Sequence, residues 1–288
     1  MKILLIGASG QLGADLVKAL ADHELLAPPR SSLDLVRFDR VRQFLQLERP
    51  QVVINTAAFH RVDDCESRVS TALQVNGEAV HNLALAAREV EAVLVHYSTD
   101  YVFDGDAGRP YREDDLSRPL NVYGASKLLG ENLVESVWEK HVLIRTCGLY
   151  GRAGSRGKGG NFVETMIRKA TAGESIRVVD DQRLTPTSTR ELARATAALI
   201  ETSHYGRFHV TSKGDCTWYE FAGEIFRLLG LEPDLTPTTS DAFAAAARRP
   251  AYSVLANHQL EELGMDDLKH WRDALGEYLG DRIRRPGA

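Results

Sequence analysis

The chain has 288 residues, enough for one large α/β domain with an appendage or for two smaller domains of roughly 150 residues each. Hydrophobic residues make up 43% and charged residues 26%, a composition that buries a core and excludes intrinsic disorder. With 35 Lys+Arg against 40 Asp+Glu the formal charge is -5, which argues against a nucleic-acid partner. No apolar run reaches the roughly 18 residues of a membrane span, so no membrane partner is expected. The three cysteines, Cys65, Cys147 and Cys216, lie far apart, which excludes a disulfide framework and a cysteine zinc site. The N-terminal MKILLIGASG lacks a long apolar region and a small-residue cleavage site and reads as a first strand rather than a signal peptide. A cytoplasmic location is the expectation.

The first half alternates short apolar runs with helical patterns. Strands are predicted at Ile3–Ile6, Glu24–Ala27, Val52–Asn55, Ala92–Tyr97 and Val142–Arg145. Continuous apolar runs of this kind belong to parallel strands buried on both faces. Helices are predicted at Gln11–Ala21, Asp39–Leu47, Cys65–Val90 and Asn121–Lys140. The repeated alternation predicts a Rossmann-type doubly wound parallel sheet, class α/β, over residues 1–150.

After Tyr150 the pattern changes. Gly151–Gly160 holds five glycines with Arg152, Arg156 and Lys158, and reads either as a surface loop or as a basic lid over a phosphorylated substrate. Helices follow at Phe162–Ala172, Arg190–Thr202 and Trp218–Leu229, with a strand at Phe208–Thr211. Leu231–Pro250 reads as a long connection, and a last helix is predicted near Asp266–Ile283. Residues 151–184 and 216–288 are expected to form a smaller substrate-binding α/β portion, with 185–215 returning to the dinucleotide domain.

Gly7-Ala8-Ser9-Gly10-Gln11-Leu12-Gly13 follows a predicted strand and opens a predicted helix. In that context the G-x-x-G-x-x-G pattern lets backbone N–H groups approach a pyrophosphate at a helix N-terminus. The second strand is followed by Arg30 rather than an acid, which suits the 2′-phosphate of NADP, while Asp34 comes slightly later and keeps NAD open as an alternative.

Tyr123 and Lys127 stand at i and i+4 of a predicted helix and share a face. A phenol of pKa about 10 needs a neighbouring cation to exchange protons easily near neutrality. Lys127 can supply it, and Tyr123 can then protonate a carbonyl oxygen as hydride reaches its carbon. Thr99, at the end of the fourth strand, can donate to the same carbonyl. His60 follows the third strand and reads as a crevice residue. No H-x-x-x-H pair occurs among the nine histidines, so no zinc ligands are assigned.

Together these residues resemble the extended short-chain dehydrogenase/reductases, and within them the dTDP-4-dehydrorhamnose reductase family. The resemblance runs through Gln11-Leu12-Gly13, Leu33-Asp34-Leu35, Asn55 to Phe59, Val62-Asp63 with Glu66, Tyr97 to Gly105, Tyr123 to Lys127, Arg145-Thr146, Asn161-Phe162, Thr185-Pro186-Thr187 and Arg248-Arg249-Pro250. It implies NAD(P)H-dependent reduction of the 4-keto group of a nucleotide-linked deoxysugar, as in dTDP-rhamnose biosynthesis. By this resemblance Gly7, Gly10, Gln11 and Leu12 would hold the pyrophosphate, and Asp34 and Leu35 would approach the adenine. Ala57, Ala58, Phe59, His60 and Tyr97 would line the cofactor, and Lys127 would anchor its ribose. Thr99, Asp100 and Phe103 would contact the sugar, and Asn161 and the Arg248-Arg249 pair the nucleotide end.

One departure stands out. Where the family usually has a Trp that stacks on the substrate, this chain has Gly148. The family also has a Mg2+ site of carboxylates shared between subunits. Asp15, Glu191 and Asp281 fall near its positions, but scattered acids read equally as solvated helix faces, and no metal ligand is assigned. A monomer or weak homodimer is expected. Two other functions are open. A non-catalytic NADP-binding regulatory subunit of the same fold is opposed by the intact Thr99/Tyr123/Lys127 set. An epimerase or 4,6-dehydratase is the other, and the dehydratases need an Asp-Glu pair after the Thr, whereas Tyr101 follows Asp100 here.

Overall fold

The Lys-Ile-Leu-Leu-Ile run sends alternate side chains to opposite faces of one strand, and every one of its apolar residues is buried. A strand buried on both faces belongs in the middle of a layered α/β fold. The computed structural model, which describes residues 1–153 and 160–284 (side chains to 282), has that fold. Its principal sheet is formed by β1 (Lys2–Ile6), β2 (Glu24–Leu26), β3 (Val52–Asn55), β4 (Val93–Thr99), β5 (His141–Thr146) and β10 (Gly206–His209). All pair parallel in the order β10-β5-β4-β3-β1-β2.

Helices cover both faces. On one, α1 (Gln11–Ala19) and α8 (Thr189–Ile200) pack together over Ile3, Leu5, Ile54, Val95 and Ile144. On the other, α2 (Phe38–Glu48), α5 (Ala79–Glu89) and α6 (Val122–Val137) cover Leu4, Val53, Leu94 and Leu143. Residues 185–215 carry α8 and the edge strand β10, so this stretch packs with the first 150 residues.

The remaining chain forms a smaller α/β portion. Its strand pairs are β6 (Leu149–Tyr150) with β9 (Thr187–Ser188), β7 (Ile176–Val179) with β12 (Leu235–Thr238), and β8 (Arg183–Leu184) with β11 (Cys216–Thr217). The helices α7 (Phe162–Thr171) and α9 (Trp218–Leu229) and the final helix Trp271–Arg284 enclose a core around Tyr150, Phe221 and Trp271. No helix of the described residues is long and apolar enough to cross a membrane.

Several predicted boundaries move, each for a local reason. Cys65–Val90 is not one helix. It breaks at Arg68 (φ -124, ψ 47) between α3 (Val62–Ser67) and α4 (Val69–Leu73), then passes through a π-helical turn at Gln74–Glu78 before α5. The wide turn lets Asn76 bond the Phe59 backbone and the Ser126 hydroxyl. Asn121–Lys140 begins with Asn121 as a cap whose side chain accepts the Gly124 N–H, and its helix ends at Val137. The last helix starts at Trp271 because Lys269 and Trp271 bond the Lys213 backbone instead. The Leu231–Pro250 stretch is not all connection, since β12 lies within it beside β7. Arg156 and Lys158 of the glycine-rich segment lie outside the described residues.

Beneath α6, Arg145 of β5 meets Glu131 in a two-pronged ion pair (Nη2–Oε2 2.7 Å, Nε–Oε1 3.0 Å), both side chains fully buried. Removing one member of such a pair strands a buried charge and costs about 3–5 kcal/mol. Glu131→Ala is therefore expected to lower the urea-unfolding free energy by about that amount. A loss below 1 kcal/mol would mean that water reaches Arg145.

Candidate active site

Parallel strands end along a common edge, and the order reverses between β1 and β3, so a crevice opens at their carboxyl ends. Here it is a cleft of about 590 Å3 between the sheet edge and the smaller portion. Ser9, Gly10, Gln11 and Leu12 form its floor at the start of α1. The Gly10 N–H donates to the Gly7 carbonyl at 2.9 Å, closing the turn. A Cβ on Gly13 would stand 2.2 Å from that carbonyl oxygen, so only glycine lets α1 approach this closely. The helix begins without a side-chain cap, leaving its first N–H groups to the cleft. An uncapped, positively polarised helix end at a tight turn fits the diphosphate of a dinucleotide.

Thr99, Tyr123 and Lys127 all line this cleft. Tyr123 and Lys127 lie one turn apart on α6, and Thr99 ends β4. Burial, then the nearby Asp100 carboxyl, push the Tyr123 phenol up, against a hydrogen bond with Thr99 that lowers it. The phenol is thus protonated at neutral pH. The Thr99 hydroxyl donates to Asp100 Oδ1 (2.9 Å) and accepts the Tyr101 N–H (3.2 Å). Asp100 is itself buried, and burial raises its pKa despite bonds from Cys147 (3.0 Å), Ser253 and Thr99.

Lys127 does not sit beside the Tyr123 hydroxyl as the i, i+4 spacing predicts. Its Nζ lies 3.0 Å from His96 Nε2, under the helix. Asn55 Oδ1 accepts the Ala57 N–H, which turns the Asn55 Nδ2 donor toward His96 Nδ1 at 3.1 Å. The imidazole proton then resides on Nε2 and faces the Lys127 nitrogen, which disfavours the charged ammonium. Burial acts in the same direction and lowers Lys127 to about 8, against the pull of Glu131. Burial and Lys127 hold His96 well below its ordinary value.

Gly10, Gln11, Leu12, Ala57, Ala58, His60, Tyr97, Asp100 and Asn161 also line the cleft. Asn161 in addition caps α7 through the Glu164 N–H (2.9 Å) and bonds the Gly151 carbonyl (2.8 Å). Other predicted residues lie elsewhere. Phe103 is fully buried, stacked on Tyr111 with ring centroids 4.1 Å apart, so it is a core residue and not a sugar contact. Arg249 is absent from the cleft wall, bonding Asp63 (2.8 Å) and Tyr101 instead. Phe59 is held by its backbone to Asn76, with Arg68 over its ring. Leu35 is in the core under α2, and exposed Arg30 pairs with Asp34 at 3.2 Å beyond β2.

The smaller portion brings aromatic residues to which the sequence reading assigns no role. Phe162 and Trp218 line the cleft with ring centroids 4.6 Å apart, each at the first position of its helix. At Gly148, φ is +56, and a Cβ would meet Leu184 Cδ1 at 2.9 Å and Pro186 Cα at 3.1 Å. A tryptophan does not fit on this backbone, and the smaller portion gives the cleft aromatic surface through Phe162 and Trp218 instead. Thr146, Cys147 and Ser253 complete the lining near Asp100.

The family model described as the RmlD substrate binding domain matches residues 1–283. The chain belongs to this family. The dTDP-4-dehydrorhamnose reductase of Streptomyces griseus is 44% identical over 293 residues, covering 99% of this chain and 95% of its own. A crystal structure of a dTDP-4-dehydrorhamnose reductase from Clostridium acetobutylicum aligns with TM-score 0.94 and 43% identity over 99% of this chain and 100% of that one. The Bacillus anthracis dTDP-4-dehydrorhamnose reductase, solved in complex with NADP, aligns with TM-score 0.93 and 36% identity over 98% and 100%.

The acids that fall near the metal positions implied by the resemblance each have partners within the chain. Asp15 is bonded by Thr189 (2.6 Å) and Lys18 (2.9 Å), Glu191 by Arg194 (3.2 Å) and Asp281 by Arg190 (3.3 Å). Among the described residues no three His, Cys, Asp or Glu side chains are grouped to hold an ion.

The buried Lys127 amine has a consequence for stability. Between about pH 8, its value in the folded protein, and roughly 10.4, that of an unfolded lysine, only the unfolded chain binds the extra proton. Stability therefore rises with pH across that window, by at most about 1.4 kcal/mol per unit from this group. Lys127→Met is expected to lose that rise. Urea unfolding of both proteins across the window checks it, and parallel pH profiles would refute it.

Proposed function

We propose that this protein is an NADPH-dependent oxidoreductase that reduces the 4-keto group of a nucleotide-linked deoxysugar, as its dTDP-4-dehydrorhamnose reductase relatives are named for doing. The observation that carries this reading is the meeting of Tyr123, Thr99 and Lys127 in one cleft with the uncapped glycine-rich turn. The portion formed by 1–150 and 185–215 holds the dinucleotide, and 151–184 with 216–288 holds the sugar nucleotide.

Gly7 and Gly10 to Leu12 hold the diphosphate of the cofactor, Ala57, Ala58, His60 and Tyr97 flank it, and Lys127 bonds its ribose hydroxyls. NADPH, when bound, supplies the hydride. Tyr123, kept protonated by burial and by Asp100, gives its proton to the keto oxygen as carbon 4 is reduced. Asp100 orients Thr99 beside that oxygen. Phe162 and Trp218 give the substrate an apolar face in place of the tryptophan absent at Gly148.

Tyr123→Phe removes one hydroxyl from a packed ring, so NADPH binding is expected to persist while kcat falls by about 10²–10⁴-fold. Turnover of a 4-keto dTDP-sugar with deuterated NADPH is expected to leave the label on carbon 4. Wild-type kcat in Tyr123→Phe, or label at another carbon, would overturn the assignment.

The adenosine end provides a separate test. Arg30 suits a 2′-phosphate, whereas its partner Asp34 suits a 2′-hydroxyl. Arg30→Ala is expected to weaken NADPH by about 1.5–3 kcal/mol, as for a charge-assisted hydrogen bond, and to leave NADH nearly unchanged. Dissociation constants for both nucleotides on both proteins decide it. Equal losses for the two would remove Arg30 from the 2′-phosphate.

A further inference from the structure

We propose that Thr146 is a further catalytic residue, whose hydroxyl donates a hydrogen bond to the keto oxygen of the substrate. The inference rests on the reductase reading above and adds a group to it.

Thr146 is the last residue of β5, and in the parallel ladder its partner on β4 is Thr99. The two threonines therefore stand side by side at the edge of the sheet where the reacting carbonyl lies. Thr146 is 5% exposed and lines the cleft. Its Oγ1 is buried and has no hydrogen-bond partner among the described residues. Buried hydroxyls in folded proteins are almost always bonded, so an orphan in the wall of a ligand cleft marks a place that the ligand completes. Ser98 Oγ is likewise buried and unpartnered. It too lines the cleft, but it is set one residue back from the edge, opposite Arg145 in the ladder, and strand alternation puts it on the face covered by α6 rather than the face that Thr99 and Thr146 share.

The neighbouring groups explain why a second donor is needed. A carbonyl oxygen offers two lone pairs. One receives the Tyr123 proton. Thr99 already has three partners: its hydroxyl bonds Asp100 Oδ1 at 2.9 Å, takes the Tyr101 N–H at 3.2 Å and is hydrogen-bonded to the Tyr123 phenol. Thr146 has no such commitment. In the reduction, hydride adds to carbon 4, the carbon–oxygen π pair moves to oxygen, and the Tyr123 proton completes the hydroxyl. Thr146 keeps its proton throughout and stabilises the charge that builds on the oxygen.

The experiment uses the full chain with Thr146→Val and Thr146→Ser, measuring kcat at saturating NADPH, NADPH dissociation constants and ligand-free melting temperatures. Valine keeps the shape and removes the hydroxyl, and is expected to lower kcat about 10²-fold with NADPH affinity unchanged. Serine is expected to restore most of the rate. The melting temperature of the valine variant is expected not to fall, because the hydroxyl has no protein partner to lose. A wild-type kcat in Thr146→Val overturns the proposal. So does weakened NADPH binding with kcat intact, which would assign the hydroxyl to the cofactor. A rate loss that serine fails to restore, or a lower melting temperature, would make Thr146 a packing residue. In each of these cases the wild type still reduces the sugar and the reductase reading stands. A wild-type protein that binds NADPH but reduces no 4-keto nucleotide sugar removes that reading, and this inference with it.

Discussion

Helix α6 is held by three buried polar contacts, two to the sheet and one to the π-helical turn, and the position of the Tyr123 phenol follows from them. Glu131 grips Arg145 of β5, Lys127 meets His96 of β4, and Ser126 receives Asn76 from the π-helical turn. An apolar helix face could slide or rotate on a sheet at little cost, because dispersion is not directional. Buried polar groups cannot, since each displaced partner would be left desolvated. Tyr123, one turn before Lys127, is thereby held over the end of β4. The same fastening explains why Lys127 is a suppressed amine: the residue that anchors the helix also faces the cofactor cleft, and its burial follows from the anchoring.

A second centre lies around Asp100. This one carboxyl accepts from Thr99 on its own strand end, from Cys147 after β5 and from Ser253 of the C-terminal portion. It links the two parts of the molecule in the wall of the cleft. Nearby, Arg249 is bonded to Asp63 and Tyr101, and the Tyr101 ring stands edge-on to Tyr123 at 6.2 Å. Residues of the 247–253 segment thus meet the cleft in two ways, Ser253 and Pro250 in its wall and Arg249 behind Tyr101. The cleft wall in turn carries orphaned polar atoms, a local cost to stability that a bound ligand offsets.

Much of this was determined by the sequence alone, wherever a signal is local. The glycine-rich turn after β1, the i, i+4 spacing of Tyr123 and Lys127 on one helix, and the apolar runs of the central strands each depend on a few adjacent residues. Backbone sterics or periodicity decide them before any tertiary contact forms. The doubly wound α/β fold follows from their order, because right-handed crossovers leave few alternatives. Two-residue strands such as β6, β8 and β9 carry no period to read, and the π-helical turn at Gln74–Glu78 looks like ordinary helix in sequence.

Only the tertiary structure decided which side chains face the cleft. Phe103 lies in a segment full of functional residues, yet packing turns it onto Tyr111, and Arg249 is drawn to Asp63, 186 positions away in the chain. Phe162 and Trp218 reach the cleft because two helices of the smaller portion begin there. Lys127 meets His96 rather than the Tyr123 hydroxyl, and Thr146 is orphaned beside Thr99, because strand register sets which residues of β4 and β5 lie together. Local sequence determines conformation through sterics and spacing. The partner of a buried polar atom is chosen by whatever the completed fold places within about 3 Å, the reach of a hydrogen bond.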